Sequence, residues 1–166
     1  MLFLALDASE LASEVVRAFA DKIAAQGVGY VCAWGPDCSR VHDIFDFALY
    51  VDNEELRREA DENDATVMTS WHEDEDIDEA LDFAVFSAHP DDYYSHGSDA
   101  LLAVVVGSPN WAGHVRRRLL DPHALSEDVL ARQPPPRRFE GVRDWRRRRR
   151  AKAALRRARR RWGIDP

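Results

Sequence analysis

One pattern constrains this chain more than any other. A short apolar run followed by a stretch with helical apolar spacing occurs four times within the first 120 residues. Phe3-Leu4-Ala5-Leu6 is continuous and apolar, as expected of a strand buried on both faces of a parallel sheet. Leu11, Val15, Phe19 and Ile23 then recur at four-residue intervals; Asp7 and Glu10 have capping-box spacing, and Gly27 supplies a stop. A second strand is read over Gly29–Trp34 and closed by Gly35-Pro36. The helix after it carries Val41, Ile44, Phe45, Ala48 and Leu49 on one face, with Asp37 or Ser39 as cap.

The third unit follows an acidic connector, Asp52 to Asp64. Alternation and β-branched residues predict a strand over 65–72, and Ile77, Ala80, Leu81, Ala84, Val85 and Ala88 predict a helix ending at His89-Pro90. After a polar loop over 91–98, Leu101–Gly107 is the most uniformly aliphatic strand. Ser108-Pro109 then opens a helix containing Trp111, Val115 and Leu119. Strands alternating with helices predict an α/β fold of three layers, a doubly wound and mostly parallel four-stranded sheet with strand order 2-1-3-4. The domain is expected over 1–120, a proline-containing linker over 121–142 and an arginine-rich tail, helical or disordered, over 143–166.

A chain of 166 residues, 45% of them apolar, can bury one adequate core. The opening apolar run is ended by Asp7 and preceded by no basic residue, so neither a signal peptide nor a membrane span is expected. Cys32 and Cys38 are the only cysteines, too few for a disulfide framework. Together these features point to a cytoplasmic protein without a membrane partner.

The net charge of −7 hides a split: residues 1–131 carry 27 acids and 8 bases, whereas residues 132–166 carry 3 acids and 15 bases. Arg146, Arg147, Arg148, Arg149 and Arg150 are consecutive, the run resumes over Arg156–Arg161, and Trp145 and Trp162 flank the whole. Guanidinium pairs with phosphate and indole stacks on bases, so these arginines are candidates for nucleic-acid binding. An acidic partner, or no external partner at all, accounts for the same composition.

In open α/β sheets ligands bind beyond the carboxyl ends of the strands. The residues expected there are Asp7, Trp34, Asp37 and Trp71 as ligand-binding groups and Cys38, His42 and His72 as candidate catalytic groups, with Ser9, Glu73, Ser108 and Asn110 nearby. Helix N-termini at the same edge suggest a small ligand, anionic or nucleotide-like. The alternative is that Asp7, Asp37 and Ser108 are helix caps and the tryptophans are core. Cys38 at a helix start, with His42 or His72 as base, has the residue types of a nucleophilic pair. A buried, inert cysteine is the simpler reading, since free cysteine is among the most buried residue types. Cys32, Cys38, His42 and His72 are also zinc-ligand types, but Cys32 falls inside a strand and neither CxxC nor HExxH occurs, so no metal is assigned. No cofactor is specified: GxGxxG and GxxxxGKS are missing, and the only lysines, Lys22 and Lys152, leave no counterpart to a receiver domain's phosphate-sensing lysine.

The string Cys32-Ala33-Trp34-Gly35-Pro36-Asp37-Cys38, with Val41-His42-Asp43 and Thr69-Ser70-Trp71-His72, resembles an uncharacterised family of small bacterial proteins. The likeness spans roughly residues 2–119 and excludes the tail from Pro134 onward. It implies a bacterial, cytoplasmic source and carries no catalytic assignment.

Overall fold

All five side chains of strand β1 (Leu2–Leu6) are buried, and its two faces serve two different cores. Burying its three leucines and Phe3 contributes roughly 2 kcal/mol for each. The computed structural model describes residues 1–51, 54–63, 65–95 and 100–133. Strands β2 (Tyr30–Trp34), β3 (Met68–Trp71) and β4 (Leu102–Val106) complete a four-stranded parallel sheet in the order β3-β2-β1-β4.

That order corrects the expected 2-1-3-4. Burial explains it: β1 and β2 offer apolar side chains to both faces and occupy the middle, whereas β3 carries Thr69 and Ser70 and lies at an edge. The aliphatic β4 forms the other edge, leaving Leu102 and Val106 59% and 49% exposed. Its composition resembles that of a central strand without its position being central.

Helices cover both faces. Leu2, Leu4, Leu6, Val31 and Ala33 pack against α1 (Ser13–Ala24) and α2 (Cys38–Asp46), through Val16, Ala20, Val41 and Phe45. On the opposite face Phe3, Ala5, Tyr30 and Cys32 meet α4 (Ile77–Asp82), α6 (Pro109–Leu120) and α7 (Pro122–Arg132). The α2 and α4 helices widen into single π-helical turns at Phe47–Val51 and Phe83–Ser87.

Several boundaries differ from expectation. Asp7 caps no helix; its carboxylate accepts from the Ser9 amide at 3.2 Å and hydroxyl at 2.8 Å, and α1 begins six residues later at Ser13. The reciprocal capping box belongs instead to Asp76 and Glu79 of α4. The acidic connector contains helix α3 (Glu54–Asn63), and the polar loop contains the short α5 (Asp92–Ser95).

The stretch read as linker from Asp121 is helical as far as Arg132, with Leu125 and Val129 buried in the core. The Asp-Pro pair starts this helix rather than breaking one: Asp121 accepts from the Ala124 amide at 3.1 Å, and Pro122 needs no partner in the first turn. Residues 134–142, the rest of that stretch, lie outside the described residues, as does the tail over 143–166.

An ion-pair network centred on the buried Asp78 ties α4, α6 and α7 together. Arg118 grips Asp78 with two bonds of 3.0 and 2.6 Å and donates to Asp128 at 2.7 Å, while His114 Nε2 lies 2.6 Å from Asp78. Burial by itself raises the Asp78 pKa, but its bonds to Arg118 and His114 outweigh that cost and hold the carboxyl below its ordinary value. A depressed folded-state pKa gives stability that is present above the unfolded value, about 3.9, and is lost as pH falls through the folded value. Asp78→Asn is therefore expected to cost about 2 kcal/mol in urea unfolding at pH 7. That difference should shrink progressively below about pH 4.

A second prediction concerns Gly35, whose φ of 115° is open to glycine and strained for other residues. An added Cβ would sit 2.5 Å from the Leu6 carbonyl oxygen. Gly35→Ala should lower stability by roughly 2–4 kcal/mol, combining backbone strain with the clash. Gly27→Ala, with φ of 69° but open space around it, should cost about 1 kcal/mol in the same assay.

Candidate functional site

The carboxyl edge of the sheet is closed at its centre. Gly107, with φ of 116°, brings the end of β4 so near Asp7 that a Cβ there would stand 2.9 Å from the Asp7 Cβ. Beside it Arg40 fastens the loops: it donates to Asp37 at 2.6 Å, to the Ala8 and Leu11 carbonyls at 2.6 and 3.1 Å, and to Ser13 at 3.1 Å. Asp37 takes a left-handed conformation with φ of 63°, and its carboxylate is spent on Arg40 rather than on capping α2. Arg40 was not among the residues singled out from the sequence. Its spacing three residues after Asp37 is the one signal that pointed to it.

Trp34 covers the opposite side of the β2 end. Its indole meets Trp111 edge-on, with centroids 5.0 Å apart, and its Nε1 donates to the Glu75 carbonyl at 2.9 Å.

The two cysteines are both buried. Burial pushes the Cys38 thiol above its ordinary value, although a backbone bond from His72 works against the shift. Burial likewise pushes Cys32 up to about 11. A nucleophilic cysteine needs the opposite, a thiol stabilised as thiolate and open to solvent. His42 is also engaged elsewhere, as follows.

Strand β3 separates the remaining candidates, because consecutive residues of a strand point to opposite faces. On the α2 side, His42 Nε2 lies 3.0 Å from Thr69 Oγ1, and the Thr69 hydroxyl donates to Asp46. His42 Nδ1 lies 3.1 Å from Asp43, and the imidazole packs beneath Trp71 with centroids 4.5 Å apart. Trp71 remains 52% exposed. On the α4 side His72 is buried, with its ring 4.8 Å from that of Phe83 and its two nitrogens facing Ser70 and Glu75. Adjacent in sequence, Trp71 and His72 thus belong to different surfaces.

The seven candidates therefore do not converge on one cavity. A groove of about 550 Å³ lies instead between α1 and α2, lined by Ser13, Glu14, Arg17, Arg40, Ile44 and Phe47 among others, with Arg17 over the Phe47 ring at 5.3 Å. Among the described residues no three His, Cys, Asp or Glu side chains are arranged to hold a metal ion, and no helix is long and apolar enough to cross a membrane. The candidate nucleic-acid residues Arg146–Arg150 lie outside the described residues.

Fold and edge together define an open, parallel α/β domain with helices on both faces. The chain belongs to the family described as a domain of unknown function, DUF7684, whose model matches residues 1–121. No curated protein and no solved structure matches it.

The inertness of the thiols is directly measurable. An aromatic disulfide reagent at pH 8 should titrate neither cysteine in the native protein over minutes and both in denaturant, with Cys38→Ser and Cys32→Ser separating the two. Rapid native labelling of Cys38 would restore the nucleophile reading.

Proposed function

We propose that this domain binds a small ligand at the carboxyl edge of its sheet, beside β3, and holds it on the outer face of Trp71. The observation that carries the reading is an indole left 52% exposed while its inner face is braced by the His42 ring. A large aromatic surface held rigidly and open to water is a recognition element at low entropic cost.

Charge selects among ligands. Asp43 and Asp46 stand beside His42, Glu73 follows the strand, and Asp76 and Glu79 already occupy the N-terminus of α4. Residues 1–131 carry 27 acids against 8 bases. A phosphate entering this edge would meet repulsion, whereas a cationic or neutral planar group gains both the indole face and the neighbouring carboxylates. We therefore favour a ligand with a cationic group over the anionic, nucleotide-like one.

The reading is tested by following the Trp71 indole proton by NMR while the full-length protein is titrated with a guanidinium compound, a quaternary ammonium compound and a nucleotide. A cationic ligand should shift the Trp71 signal saturably. Trp71→Leu should weaken binding by about 5- to 30-fold, the range of a desolvated cation–π contact. Stronger binding of the nucleotide, or unchanged affinity in Trp71→Leu, would overturn the proposal.

A second reading rests on composition alone: the 15 basic residues from Arg132 onward and their two tryptophans suit RNA, DNA or an acidic partner. Deleting residues 134–166 would then abolish nucleic-acid binding and leave the Trp71 shifts intact.

A further inference from the structure

The α4 side of β3 holds an arrangement that the Trp71 reading does not use. Ser70 Oγ lies 3.1 Å from His72 Nε2, and His72 Nδ1 lies 2.8 Å from Glu75 Oε2. An ionised carboxylate only accepts hydrogen bonds, so the proton of a neutral ring sits on Nδ1. Nε2 is then the acceptor toward which the Ser70 hydroxyl donates. We propose that Ser70 and His72 are the nucleophile and general base of an ester-cleaving site, with Glu75 as the residue that positions the imidazole.

The connectivity is that of a serine, histidine and acid triad, which is defined by roles and geometry rather than by sequence position. Strand period places Ser70 and His72 on one face, and the turn after β3 folds Glu75 back onto the ring. Three further features distinguish it from a buried histidine with satisfied partners. His72 is only 5% exposed and braced by Phe83, so its ring is held in one orientation away from water. Ser70 itself is half-buried on an edge strand, where a substrate can approach from the open side.

The third feature is the oxyanion donor. In the β2–β3 ladder the Met68 and His72 amides bond to the Gly29 and Ala33 carbonyls, at 3.2 and 3.0 Å. Alternation in a parallel pair directs the Trp71 amide the other way, toward the open edge. It is the amide of the residue after the nucleophile, the donor that serves the oxyanion in nucleophile-elbow hydrolases. Tyr30 also hydrogen-bonds to Ser70; burial raises its pKa, and that bond works against the shift.

The chemistry balances with water as the only co-substrate. Ser70 Oγ bonds to the acyl carbon while its proton passes to His72 Nε2, and the carbonyl oxygen becomes an oxyanion at the Trp71 amide. Collapse of this adduct breaks the ester C–O bond, and the departing alcohol takes the proton from Nε2. Water then adds to the acyl carbon and gives a proton to Nε2; the carboxylic acid leaves as Ser70 Oγ recovers that proton. Met68, 40% exposed two residues before Ser70 on the same strand face, and the ring of Phe83 suit a short apolar acyl chain.

The test is to incubate the folded full-length protein with a fluorophosphonate probe and map the adduct by mass spectrometry, alongside hydrolysis of p-nitrophenyl butyrate. A single adduct on Ser70 is expected, with hydrolysis falling at least about 100-fold in Ser70→Ala. Glu75 is exposed, so Glu75→Gln leaves the fold intact by circular dichroism and should slow labelling about 10-fold, with Glu75→Asp recovering part of the rate. No Ser70 adduct on the folded protein, or equal hydrolysis by Ser70→Ala, would overturn the proposal. Neither readout depends on a ligand at Trp71, so the two proposals fail separately.

Discussion

The complete burial of β1 is the constraint on which the rest of the structure depends. Its five residues pair with β2 on one side and β4 on the other, and they feed alternate side chains into two cores. Each face demands a covering layer of helices, so a three-layer arrangement follows from a single strand whose residues are apolar in both directions. The lateral order follows from the same accounting. The next most apolar strand, β2, takes the second interior place, and β3 with its hydroxyl side chains can only lie outside it.

That economy has a consequence at the carboxyl edge. The centre of the edge is filled by backbone: Gly35 sits against the Leu6 carbonyl, Gly107 against Asp7, and Arg40 binds the intervening loops together. A side chain at either glycine would push the loops apart. The site expected between the strand ends is therefore occupied by the protein itself, and accessible chemistry moves outward to β3. There an edge position leaves side chains on both faces partly open and directs alternate amides toward solvent.

The ionic architecture divides in a similar way. Asp78 and Arg118 are used internally, joining three helices across the α4 side of the sheet. Asp43 and Asp46 beside Trp71 also meet His42 and Thr69, but they do so at the surface and leave it acidic. A pair built on a buried carboxylate shapes the fold, whereas exposed like charges shape what can approach it.

Much of this fold was legible in the residues. The apolar runs at Leu2–Leu6, Tyr30–Trp34 and Leu102–Val106 and the helix opening at Ser108-Pro109 were read nearly in place, because their periodicity is local. The candidate site was legible only as a set of residue types. That Trp71 and His72 part to opposite faces, with Ser70 beside His72, follows from strand geometry once β3 is known, but the meeting of Thr69 with His42 and Asp46 of α2 is made by packing. By itself, then, the sequence determined the alternation of strand and helix, the class of fold and the charge of the chain, since these depend on neighbours a few positions apart. Tertiary structure alone decided that β4 is an edge, that Leu125 and Val129 join the core, that Cys38 is sealed in it and that Thr69 meets His42. Each of those depends on which distant surface a segment is buried against, and no local pattern carries that information.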